Sequence, residues 1–116
     1  MVPKGAGGSF LHLDDLGNAL LLASQKPKTF GEIFNLSTLF LSWEEVARII
    51  IEVTHSPSTL EVIPAKEWKG APFLADAWEL STGKAQRVFA FRPTLSPSNA
   101  RQKLKEAITR CYHSIK

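Results

Sequence analysis

The chain has 116 residues, 44% hydrophobic and 22% charged, with a formal net charge of +3, which fits one globular domain. One cysteine, Cys111, excludes a disulfide scaffold and suits a reducing cytoplasm; no apolar run reaches the roughly 18 residues of a membrane span, and the start lacks the pattern of a signal peptide. The basic residues near the end, Arg101, Lys103, Lys105, Arg110 and Lys116, have only Tyr112 and His113 beside them, too little stacking surface for a nucleic-acid face.

Residues 1–9 read as a flexible lead-in. Gly5-Ala6-Gly7-Gly8 has neither the preceding strand nor the third glycine that a phosphate-cradling loop needs. Phe10-Leu11-His12-Leu13-Asp14-Asp15 reads as a short strand ending in two carboxylates. Asp14 or Asp15 then caps a helix, with Leu16, Ala19, Leu20 and Ala23 as its buried stripe. That helix stops before Pro27. Glu32-Ile33-Phe34-Asn35-Leu36-Ser37 predicts a strand buried on both faces, with the Asn35 amide tied to a neighbouring loop.

Ser42 and Glu45 form a capping box, and Leu41 and Val46 occupy the staple positions around it. The spacing predicts a helix from Trp43 to about Thr54, with Val46, Ile49, Ile50 and Val53 inward. Leu60–Pro64 reads as a short strand. Residues 65–80 read as irregular helical turns packed by Trp68, Phe73, Leu74 and Trp78. Ser81 or Thr82 caps a short helix over Gly83 to Phe89. Ser96-Pro97 opens the last helix, whose stripe is Ala100, Leu104, Ala107, Ile108, Cys111 and Ile115. The expected fold is a helix-rich α/β chain of about four main helices with two or three short strands. So few strands make no substantial sheet alone. Either the helices carry the core, or the strands belong to a larger sheet.

No constellation supports catalysis. Tyr112 and Lys116 have the Tyr-x-x-x-Lys spacing of short-chain dehydrogenases, where lysine lowers the tyrosine pKa, but no nucleotide fold precedes them. His12 and Asp14 share a strand face, and two ligands do not make a metal site. Cys111 and His113, two apart on a helix, point in different directions. Lys84 and Arg87, three apart, read as a solvated face. The chain thus has no expected catalytic, cofactor-binding or metal-binding residue.

Four blocks resemble the C-terminal part of the NAD-dependent epimerase/dehydratase family, the extended short-chain dehydrogenases. Phe10-Leu11-His12-Leu13-Asp14-Asp15-Leu16 is similar to the family's Phe-x-His-Val-x-Asp segment. Gly31-Glu32-Ile33-Phe34-Asn35-Leu36 resembles its Gly-x-x-Phe-Asn strand, and Ser42-Trp43-Glu44-Glu45-Val46 the helix start that follows. Lys84-Ala85-Gln86-Arg87 through Phe91-Arg92-Pro93 looks like its Lys-Ala-x-Arg segment.

The resemblance implies that residues 10–116 are a substrate-binding subdomain, inactive by itself, of a parent that holds NAD(P) in a Rossmann domain. The cofactor carries the redox chemistry of such enzymes. It implies a small-molecule substrate for the parent, with His12 as the substrate-binding candidate. Gly8 and Ser9 stand where nucleotide-sugar members have Arg-Asp, which argues against a nucleotide-diphosphate sugar. Phe89-Ala90 stands where Leu-Gly is usual. The partner expected is the Rossmann domain, or a second copy through surplus apolar residues such as Leu21, Leu22, Leu39, Phe40 and Ile51. No nucleic-acid or membrane partner is expected. The alternative is a stand-alone, non-enzymatic helical interaction module using the same apolar surface.

Overall fold

The computed structural model describes residues 1–115. Among the described residues, four α-helices and five short strands make an α/β fold. Strand β1 (Val2–Pro3) leads into β2 (Gly7–Phe10), then helix α1 (Leu13–Ser24). Strand β3 (Leu39–Ser42) runs directly into α2 (Trp43–Thr54). After β4 (Val62–Ile63) and β5 (Ala77–Trp78) come α3 (Gly83–Phe89) and α4 (Pro97–Ser114). Strand β2 is central, antiparallel to β3 and parallel to β5. Strands β1 and β4 form a separate parallel pair.

The opening residues, expected as a flexible lead-in, are built into both sheets. Gly7 shows why: a Cβ there would lie 2.2 Å from the Leu41 carbonyl oxygen. Glycine here permits close strand approach, and the Gly5–Gly8 run is a turn and a strand start, not a phosphate loop. The strand expected at Phe10–Asp15 is displaced to Gly7–Phe10.

Helix α1 starts two residues earlier than an Asp14 cap allows and three earlier than an Asp15 cap. His12 is its N-cap, its Nδ1 accepting from the Asp14 backbone N–H at 3.1 Å. The inward stripe is Asp15, Ala19, Leu22 and Ala23, while Leu20 is exposed. The expected stripe is therefore rotated, because the Asp15 carboxylate faces Thr38 and Thr94 inside the protein.

Glu32–Ser37 forms no strand. Phe34 and Leu36 pack on the core while Ile33 and Asn35 are exposed, so the segment alternates but pairs with nothing. Asn35 is not the buried amide expected of it. Lys84 pins this segment, its Nζ donating to Glu32 Oε2 at 2.8 Å and to the Ile33 carbonyl at 3.0 Å, above the Phe34 ring. That engagement takes Lys84 out of any phosphate grip with Arg87.

The capping box of α2 forms as expected, Glu45 N–H donating to Ser42 Oγ and Ser42 N–H to Glu45 Oε2. Ile50, expected inward, is exposed. Helix α4 lies along α2, joined by Arg101–Glu45 at 3.1 Å and by Lys105–Glu52. Cys111, expected on its apolar stripe, is exposed. The 65–80 stretch does form short 3-10 turns, at Ala65–Glu67 and Pro72–Ala75. Its tryptophans stitch them together: Trp68 donates to the Ala71 carbonyl and Trp78 to that of Phe73. Trp43 reaches across from α2 to the Leu74 carbonyl.

The core cluster is small: Ala19 of α1, Ala85 and Phe89 of α3, and Phe91. Phe34 meets Phe89 edge-on at 5.0 Å. Helix α3 ends on Ala90 at φ 58°, a left-handed conformation that glycine adopts without strain.

Candidate functional site

The junction between β2 and α1 places His12 between two environments. On one side its backbone N–H donates to Thr38 Oγ1 at 2.8 Å. Thr38 in turn donates its hydroxyl to Asp15 Oδ2. The other Asp15 oxygen accepts from the Thr94 N–H at 2.8 Å and the Thr94 hydroxyl at 2.7 Å. Asp15 is fully buried. Burial pushes its carboxyl up, and the hydrogen bonds from Thr38 and Thr94 outweigh that, so it sits below the ordinary carboxylate range. Asp15 is thus a structural anchor joining α1, the approach to β3 and the segment before α4.

On the other side of the junction, His12 lines a cleft of about 490 Å³ between the end of β2, the start of α1 and helix α4. Leu41 and Ala100, both buried, lie at its base. Leu11, Leu39, Leu104 and Ala107 add apolar walls. Ala100, Lys103, Leu104, Ala107 and Arg110 share one face of α4 by their three- and four-residue spacing. Because His12 Nδ1 accepts from Asp14 N–H, the neutral imidazole carries its proton on Nε2.

His12, Asp14 and Asp15 do not converge. His12 lines the cleft, the Asp14 side chain is 78% exposed, and Asp15 points into the interior. Among the described residues no group of three or more His, Cys, Asp or Glu gathers to hold a metal ion. Tyr112 stands on α4, and Lys116, its candidate partner, lies outside the described residues. No helix among the described residues is long and apolar enough to cross a membrane.

Sequence reading missed Thr38, Thr94 and the cleft-lining face of α4. The threonines carry no local signal, being 23 and 79 residues from Asp15. The Ala100-Leu104-Ala107 stripe was the available clue to the α4 wall. Comparison of the chain with family models, curated proteins and solved structures found no match.

Proposed function

We propose that the chain is the C-terminal, substrate-binding part of an NAD-dependent epimerase/dehydratase-like protein, without turnover of its own. NAD(P) in this reading belongs to the parent's Rossmann domain, and His12 contacts the substrate. The observation that carries it is an apolar surface with no cover. Of the buried apolar residues among those described, only Leu41, Phe89 and Phe91 are large. Leu13, Leu20 and Leu21 of α1, with Phe30 and Ile33 after it, are each at least 60% exposed. Such a surface marks an interface. The unpaired Glu32–Ser37 segment lies beside it in sequence, at the position of a family strand. The radius of gyration, 16.7 Å, exceeds the roughly 13 Å of a compact domain this long. That fits a piece shaped against a neighbour.

Two measurements test the reading. Calorimetry of the isolated chain with NAD gives no binding heat; a saturable isotherm would overturn the proposal. Sedimentation at rising concentration shows self-association through the apolar face, weakened by Leu20→Lys. A strictly monomeric species at high concentration counts against this reading and equally against a stand-alone interaction module.

A further inference from the structure

The cleft beside His12 has a charge pattern that selects a ligand. Two acids line it, Glu106 and Asp14. Glu106 Oε2 is 3.7 Å from Lys103 Nζ, and the Asp14 side chain is 78% exposed to solvent. Arg110 has no carboxylate partner among the described residues. That leaves Arg110, exposed at the rim, as the cleft's cation with no carboxylate beside it. Below it lie the side chains of Leu104, Ala107, Leu39 and Leu41. The volume, about 490 Å³, is within the roughly 300–1,000 Å³ of small-molecule sites, which pair apolar walls with a few orienting polar groups.

We infer that this cleft binds a small amphipathic monocarboxylate. The apolar body lies on the leucine walls, and the carboxylate accepts from the Arg110 guanidinium, whose planar fork matches two carboxylate oxygens. In the neutral imidazole, the His12 Nε2–H is the second donor available to it. A diphosphate is disfavoured, because one uncompensated cation cannot balance it and Glu106 and Asp14 would repel it. The inference deepens the substrate-binding reading above by naming the ligand class, and it rests on that reading only for the role of His12.

The test compares octanoate with octanamide, its neutral counterpart of equal length, by calorimetry on the intact chain at low salt. Octanoate binds about tenfold tighter than octanamide. Arg110→Gln removes that preference and leaves octanamide binding unchanged. Leu104→Asp abolishes both, and Leu20→Lys, on the exposed face of α1, alters neither. Leu104→Phe, which fills the cleft without adding charge, gives the same loss and serves if the aspartate variant does not fold. Octanoate also shifts the His12 ring resonances, which a purely structural histidine would not show.

Equal affinity for the two probes, a preference surviving Arg110→Gln, or loss of binding in Leu20→Lys each overturns the inference. Absence of octanoate binding overturns the ligand class while leaving the NAD and sedimentation outcomes standing, so the two readings fail separately.

Discussion

Replacing Asp15 by asparagine tests whether one buried carboxylate holds three parts of the chain together. The carboxylate accepts three hydrogen bonds, one from Thr38 and two from Thr94. An asparagine keeps one acceptor oxygen and turns the other position into a donor facing a donor. One charge-assisted bond is lost, and the remaining two become neutral. At about 1.5–3 kcal/mol for a charged bond and about 1 kcal/mol for a neutral one, the loss is roughly 3 kcal/mol. That is a large share of the about 5–15 kcal/mol that holds a domain folded. With a urea slope of about 2 kcal/mol per molar, the midpoint falls by about 1.5 M.

Urea titration followed by tryptophan fluorescence measures this directly. The pH dependence sharpens it. The folded-state pKa of Asp15 is lowered, so its contribution is full above the unfolded value of about 3.9. It is lost as pH falls through the folded value. The gap between wild type and Asp15→Asn is therefore widest near neutrality and closes on acidification. A gap of less than about 0.3 M urea at pH 7, or one constant with pH, would refute the argument.

Gly7→Ala drives a methyl group into the Leu41 carbonyl, so it costs about 2–3 kcal/mol or more, read from the same urea midpoint; an unchanged midpoint would show that β2 and β3 can separate freely. Ser42→Ala removes half of the α2 capping box and lowers stability by about 1 kcal/mol, with hydrogen exchange expected to speed up selectively at Glu45. Ala90→Gly relieves the left-handed backbone at φ 58° and raises the thermal midpoint, a gain of about 0.5–1 kcal/mol after the extra unfolded-state freedom is subtracted. A fall in that midpoint would mean that the Ala90 methyl matters more than its backbone strain.

Helices α2, α3 and α4 were legible because their signals are local. Ser42 and Glu45 are three residues apart, and Ser96-Pro97 is a dipeptide. Strands were legible only where the turn pattern isolated them, as at Val62–Ile63. Ile33, Phe34 and Leu36 carry strand chemistry, yet no neighbour supplies the ladder, and apolar content alone does not create one. Leu39–Ser42 went unseen because its partner, Gly7–Phe10, is a glycine-rich stretch with little strand propensity. Asp15 looked like a helix cap for a sound local reason, an acid just ahead of an apolar run. Its burial comes from residues far along the chain, which no window of sequence contains. The capping role of His12 had no such signal: histidine is outside the usual N-cap set.

The strand pairings have a consequence for how the chain reaches this state. Nothing in either sheet is a hairpin: Ser9 of β2 donates its hydroxyl to the carbonyl of Trp78, 69 residues away, and β1 meets β4 in parallel. Closing loops of that length costs entropy before any contact compensates, and non-local pairing slows folding. The helices, of which α1, α2 and α4 carry local side-chain caps, can form while both sheets are still open. In stopped-flow refolding, far-UV circular dichroism should therefore gain most of its amplitude before tryptophan fluorescence changes; a single shared rate would contradict this order. Until the C-terminal third of the chain arrives, β2 has an open edge where β5 will pair, and a second unfolded chain could occupy it. The protein's most aggregation-prone moment is then late in folding, at sheet closure, rather than at the start.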